Sequence, residues 1–283
     1  MKVCLLAHHP DSFASKRLLQ ELAAREVSCE VRRPEEIRWR LPWDGETFDL
    51  TFNRLSAVES GEYERALARL PCWGRQVNPW ELREALWDKA HQALWLAARG
   101  EQPVASFMHR GLLRPDDPAW QAFRRHAAGE GWVLKFNRGQ RGVGVHQVAD
   151  EASLFQWLET LHRMGDQDFI VQPRLAAGGE WRLTLLDGEP WALLRRTAGL
   201  YGRGNFAQGG VASEVSWSQA PAPLRELPAK LGVGGAALAL DLWLGPTGVQ
   251  ILDVNTVPGV EQLESVTGRN FSGDWVDKAL KGG

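Results

Sequence analysis

Lys135 stands near the end of the apolar run Trp132–Phe136 and is followed by a loop carrying Gly139, Gln140, Gly142 and Gly144. Glycine reaches backbone conformations that other residues resist, and a run of exposed N–H groups forms a concavity suited to anions. A lysine beside it adds a mobile point charge for the same oxygens, so the chemistry indicated is phosphate binding. A plain hairpin is the competing explanation. A Walker A loop is excluded because no Gly-Lys-Ser/Thr follows. A dinucleotide fingerprint is disfavoured because the loop leads into a strand instead of a helix.

Asp241, Asp253 and Asn255 are oxygen donors on two apolar segments separated by Gly-Pro-Thr-Gly. Asp253 and Asn255, two apart, share one face of a strand. A five-residue loop, 245–249, would set Asp241 directly opposite Asp253. Facing carboxylates repel unless a cation lies between them, and hard oxygen ligands of this kind suit magnesium. Solvated strand-edge residues are the alternative. Arg195-Arg196, Arg203 and Asn205 then precede Gly209-Gly210 in a basic, glycine-rich passage. Arginine clamps phosphate or carboxylate bidentately, although a solvated face would have the same composition.

These residues need elements to hold them. Segments 3–7, 28–32 and 49–53 read as strands, and 15–25 as a helix with Leu18, Leu19 and Leu22 on its period. Residues 1–83 are thus expected to form a small α/β lobe with a parallel sheet. A single helix is expected over 81–100, with Lys89 inside it. The central lobe, 84–170, continues with a helix near 118–128, strands at 132–136 and 143–148, and a helix at 153–162 capped by Ser153. The C-terminal lobe, 171–283, turns mostly to antiparallel strands: 181–186 and 191–196, joined by the hairpin Leu186-Asp187-Gly188-Glu189, then 236–244 and 249–255, with a helix near 223–231. The class is α/β grading into α+β.

The 283 residues, 44% hydrophobic and 24% charged, have the composition of a soluble globular protein. No apolar run approaches the roughly 20 residues of a membrane span, and the first residues are too short for a signal-peptide core. A cytoplasmic protein without a membrane partner is expected. The net charge of −2 removes general attraction to nucleic acid. Cys4, Cys29 and Cys72 are too dispersed for a zinc site or a disulfide framework. The 14 tryptophans follow no stripe and read as core filling, in preference to a base-stacking platform.

Taken in order, several segments resemble the ATP-grasp superfamily, most closely its ribosomal-protein glutamate ligase (RimK-type) branch. Ser15-Lys16-Arg17-Leu18, Phe52-Asn53-Arg54, Asn78-Pro79 and Lys89 are similar to that branch's N-terminal lobe and first nucleotide lysine. Lys135 and its loop are similar to the second lysine and glycine-rich loop. Val171-Gln172, Glu180-Trp181-Arg182, Arg195-Arg196, Asn205, Gly209-Gly210, Asp253-Val254-Asn255 and Glu264 to Gly268 follow in the family's order.

The resemblance implies an ATP-grasp fold, in which the N-terminal lobe precedes two lobes that clasp ATP. It also implies an ADP-forming ligase that needs ATP and one or two magnesium ions, with manganese as a substitute. Such an enzyme activates a carboxylate as an acyl phosphate and joins it to an amine. The partners implied are a glutamate-like amino acid and a peptide, a protein C-terminus or a small acid, with a homo-oligomer as the assembly.

Carried over by position, Lys89 and Lys135 bind nucleotide phosphates together with Gly139, Gln140, Gly142 and Gly144. Gln172, Pro173 and Arg174 line the adenine pocket, Glu180 approaches the ribose, and Arg203 and Asn205 sit near the phosphates. Asp241, Asp253 and Asn255 hold magnesium, while Arg182, Arg195 and Arg196 grip the acyl phosphate and the substrate carboxylate. Three places stand apart from the family pattern: Asp253 replaces a glutamate, Pro173-Arg174 replaces an acidic–aromatic pair, and Asn53-Arg54 lies in the N-terminal lobe, the part that varies with substrate. The changes at Asp253 and Pro173 leave a nucleotide-binding regulator without activity as one alternative, and a kinase of the same fold is a second.

Overall fold

The computed structural model describes residues 1–38, 45–56, 59–127, 129–138, 144–165, 168–176, 179–197, 211–246 and 248–282. The N-terminal elements are β1 (Val3–Leu6), α1 (Phe13–Ala23), β2 (Cys29–Arg32), β3 (Leu50–Asn53), α2 (Glu62–Leu67) and β4 (Arg75–Val77). Their strands form a parallel sheet in the order β2-β1-β3-β4, as the alternation of short apolar runs with helices leads one to expect. Val3, Leu5, Leu50 and Phe52 face one core and Cys4 and Leu6 another. Burial on both faces explains why β1 is apolar at every position.

The helix expected over 81–100 is broken into α3 (Trp80–Ala85) and α4 (Lys89–Ala97). Asp88 causes the break. Its carboxylate accepts the His91 amide at 2.9 Å, and a side chain that bonds its own backbone favours a helix start over a helix interior. Lys89 is therefore the first residue of α4, not a mid-helix residue.

The central elements are β5 (Phe107–Arg110), α5 (Pro118–His126), β6 (Trp132–Phe136), β7 (Val145–Val148), α6 (Glu151–Arg163) and β8 (Asp168–Pro173). The strands form an antiparallel sheet, β5-β8-β6-β7, over a core of Trp120, Trp132, Leu134, Leu154, Leu158, Phe169 and Val171. Asp150, not Ser153, caps α6: it accepts the Ser153 amide at 2.8 Å.

The remaining elements are β9 (Glu180–Leu186), β10 (Glu189–Thr197), β11 (Val211–Val215), α7 (Ala222–Leu231), β12 (Ala237–Gly245), β13 (Gly248–Asn255), α8 (Glu261–Thr267) and α9 (Phe271–Lys281). An antiparallel sheet runs β11-β10-β9-β12-β13. Its β9–β10 hairpin turns at Asp187 and Gly188, both at positive φ (56° and 80°), the conformation a two-residue hairpin loop demands.

One face, with Trp181, Leu183, Leu193, Leu240 and Leu242, packs on α7 and on Trp95 and Leu96 of α4. On the other face Leu194 and Ala237 meet the N-terminal core, where Trp275 and Val276 of α9 also lie. Tryptophans sit in all four cores, as core filling requires. Among the described residues, no helix is long and apolar enough to cross a membrane.

Candidate active site

Strand alternation sends Glu180 and Arg182 of β9 to the face opposite Trp181 and Leu183. Register then sets Asp241 of β12 beside Arg182, and Arg196 of β10 beside Glu180. The result is a charged patch on the sheet face that also carries Leu194 and Ala237. Arg182 donates Nε and NH2 to the two Asp241 oxygens at 2.8 Å each, and Arg196 NH1 donates to Asp241 Oδ1 at 2.9 Å. Burial alone would raise the Asp241 carboxyl, but the two guanidiniums outweigh it and hold the group below the usual carboxylate range.

Asp253 lies opposite Asp241, as expected, but by another route. The β12–β13 turn pairs Gly245 with Gly248, so it is not a five-residue loop, and a regular ladder would have put Asp241 opposite Leu252. A β-bulge between the Leu242–Ile251 and Asp241–Asp253 pairs shifts the register by one and returns Asp253 to the charged face. Lys89 Nζ donates to Asp253 Oδ1 at 2.8 Å. Asn255 Oδ1 accepts the Val257 amide at 2.8 Å, which turns the chain out of the strand.

Lys135 enters from β6 of the central sheet. Burial, and then the Lys89 ammonium, push it down to about 8 against the pull of Asp253, Asp241 and Glu180. The structure thus gathers Lys89, Lys135, Glu180, Arg182, Arg196, Asp241 and Asp253 from three parts of the chain.

Arg195 is not in this group. It neighbours Arg196 in a strand and so points to the opposite face, where its guanidinium lies 5.9 Å from the Trp181 ring centre. Pro173 pairs with Trp132, and Arg174 donates its amide to Gly131 O at 2.8 Å, at the end of β6 away from Lys135. Gln172 is buried and donates to Ser106 Oγ at 2.9 Å. Gly144 has φ 72° and lies against the Phe136 ring, where a Cβ would collide, so glycine is required there. Gly139, Gln140, Gly142, Arg203 and Asn205 lie outside the described residues.

Residues that carry no charge position the others. The Asn137 carbonyl accepts the Lys89 amide at 3.2 Å and its Oδ1 accepts Ala90 N at 3.0 Å, tying α4 to the end of β6. Gln92 exchanges two hydrogen bonds with the Val254 backbone, at 2.9 and 3.1 Å, fixing α4 against β13. Asn78 is fully buried; it donates to Ala237 O and Thr256 O and accepts Ala237 N, each at 2.7 Å. Asn78-Pro79 was visible in the sequence as a motif, but its role as a tie between lobes was not.

The donor chemistry fits a magnesium ion. Two carboxylates face each other with an amide oxygen two residues on, and among the described residues Asp253 is bonded through Oδ1 alone. No cluster of three histidine, cysteine or acidic side chains occurs among them. Magnesium takes one or two protein carboxylates and draws its other ligands from water and phosphate, and the fit rests on the carboxylates alone.

Over 99% of this chain and 100% of its own, the RimK domain ATP-grasp protein of Sphaerobacter thermophilus superposes with a TM-score of 0.76 at 19% identity. The chain has the ATP-grasp fold. The ATP-grasp ligase PsnB, solved with a phosphomimetic variant of its minimal precursor, Mg and ADP, matches at a TM-score of 0.70 and 14% identity over 98% of this chain and 97% of that one.

No family model matches the chain. A probable alpha-L-glutamate ligase of Xanthomonas campestris is 26% identical over 291 residues, 96% of each chain. A probable alpha-L-glutamate ligase of Shewanella halifaxensis is 32% identical over 155 residues, which span 53% of this chain but only 33% of the relative's length. The chain is thus similar to proteins named as glutamate ligases and, in fold, to a RimK domain ATP-grasp protein.

Proposed function

We propose that the chain is an ATP- and magnesium-dependent carboxylate–amine ligase, adding a glutamate-like amino acid to a peptide, protein or small acid by way of an acyl phosphate. The observation that carries this reading is the convergence of Lys89 and Lys135 with the Arg182–Asp241–Arg196 network around Asp253. Cations and carboxylates packed together in this way answer the needs of phosphoryl transfer, where catalysis is positioning plus stabilisation of charge.

In this reading Lys89 and Lys135 neutralise nucleotide phosphate oxygens. Lys89 exchanges Asp253 for phosphate, and Asp253, Asn255 and Asp241 hold magnesium. The ion, when bound, supplies Lewis-acid polarisation of phosphoryl oxygens. Arg182 and Arg196 are held in place by Asp241 and present their remaining N–H groups to the activated carboxylate. The partly buried setting of Lys135 lowers the local dielectric and so strengthens its contacts. Named glutamate ligases among the relatives, and a peptide precursor in the PsnB complex, support an amino acid and a peptide as substrates.

The test is magnesium-dependent ADP release with pools of amino acids, short acidic peptides and dicarboxylates, followed by mass analysis. A product equal to the two substrates minus water supports the ligase. A phosphorylated product would instead make the chain a kinase, and nucleotide binding without turnover would favour the regulator.

A further inference from the structure

Arg54 and Arg83 are two cations in the N-terminal lobe with no acid beside them. Arg83 is 2% exposed, donates to Asn53 O at 2.8 Å and to Leu55 O, and leaves its Nε unbonded. Arg54 is the residue after β3. Its amide bonds Leu6 O at 2.8 Å, its guanidinium lies 5.9 Å from the Trp275 ring centre, and its NH1 is buried without a hydrogen-bond partner among the described residues. Burial pushes Arg54 down to about 10; burial and then the Arg54 charge push Arg83 down to about 9, and no carboxylate offsets either. Buried donors are normally satisfied and buried charges normally paired, so this pair is short of an anion.

Its location is equally specific. The strand order reverses at β1, which has β2 on one side and β3 on the other, and Arg54 leaves β3 at that reversal. In open parallel sheets, ligands sit outside the carboxyl ends of the strands at such a switch point. Continuing the Leu6–Asn53 register sets Arg54 beside Ala7, on the face that Phe52 shares with α1. His8 follows, with Nε2 3.1 Å from Ser60 Oγ. The same sheet edge ends at Asn78, whose amide donates to Thr256 O, one residue beyond Asn255. The carboxyl end of this sheet therefore borders the end of β13 that carries Asp253.

We propose that Arg54, backed by Arg83, binds a substrate carboxylate other than the one that is activated, in the crevice at the switch point of the N-terminal sheet. This rests on the ligase reading above. A carboxylate held there, with the reacting group at Asp253, calls for a substrate bearing an acid at one end. That acid belongs either to the incoming amino acid or to the chain it extends, and the shared chemistry is a carboxylate accepted by a guanidinium fork.

The test follows thermal unfolding of the full chain with two probes: L-glutamate, and N-acetyl-glutamyl-glutamate, which has no free amine and can serve only as the acid. At least one probe is expected to raise the wild-type melting temperature, because it binds the folded state. Arg54→Gln should raise the concentration needed by about tenfold to a hundredfold, as expected for loss of hydrogen bonds to a charged group. Arg54→Lys, which keeps the charge but not the fork, should fall between and serves if the glutamine variant does not fold. The probe whose effect is lost names the amine or the acid as the source.

Equal shifts in wild type and variants, or no wild-type shift from either probe, overturn the proposal. ADP with magnesium is run separately. No wild-type shift with ADP sinks the ATP-dependent reading, while the probe arms, run without nucleotide, still decide the carboxylate site.

Discussion

Asp241 and Asp253 face one another across β12 and β13, yet each is held by cations from a different place. Asp241 takes Arg182 and Arg196 from its own sheet, whereas Asp253 takes Lys89 from α4. The first is therefore a network within one sheet, and the second a contact between that sheet and a helix.

Asp241→Asn should destabilise the protein by about 3 kcal/mol, because it leaves two largely buried guanidiniums facing each other. Urea unfolding monitored by tryptophan fluorescence checks this. A change below about 0.5 kcal/mol, the size of an ordinary surface substitution, would mean that the network is not structural.

Asp253→Ala should abolish magnesium-dependent ADP formation while moving the melting temperature little, since the Lys89–Asp253 pair is partly exposed and such pairs contribute about 0–1 kcal/mol. Turnover assays at saturating magnesium, alongside a melting curve, separate the two effects. Retained turnover would remove Asp253 from the metal site.

Nucleotide affinity should fall as pH rises through about 8, where Lys135 loses its proton in the folded protein. The sign follows from linkage: an unfolded lysine holds its proton to about pH 10.4, so below pH 8 the charged Lys135 costs stability, and this cost disappears between pH 8 and 10.4. Phosphate would reverse the trend by favouring the charged form. Calorimetric titration of ADP with magnesium at pH 7 and pH 9 should show proton uptake at the higher pH, and Lys135→Gln should abolish the uptake.

Asn78→Ala should cost about 2–4 kcal/mol, since it strands buried backbone groups at Ala237 and Thr256. Hydrogen exchange at the Ala237 amide gives a local readout, with faster exchange expected there than in β1.

The parallel sheet and most strands were legible because apolar runs of 4–9 residues alternate with clear turn signals. β5 was not, because His109 and Arg110 break its apolar run and its pairing comes from a distant strand, β8. The Asp241–Asp253 pairing was read correctly from the wrong loop, because a bulge and a longer turn both add one residue and the sequence does not distinguish them. Arg195 and Arg196 look equivalent as a dipeptide, and the alternation of β10 assigns them opposite faces. The break before Lys89 had a local signal in Asp88, which the apolar period on either side concealed. The ties made by Asn78, Gln92 and Asn137 join residues more than 40 positions apart and leave no local trace.

Among the described residues, the core of the central sheet draws on residues between Phe107 and Val171, whereas Leu96 of α4 packs in the core that holds Leu240 and Ile251. The two lysines thus belong to separately packed bodies: Lys89 rides with Asp253, and Lys135 rides with its own sheet. Their separation is therefore set by how these two bodies pack against each other. Asn137, bonded to the first turn of α4 from the end of β6, ties the one body directly to the other.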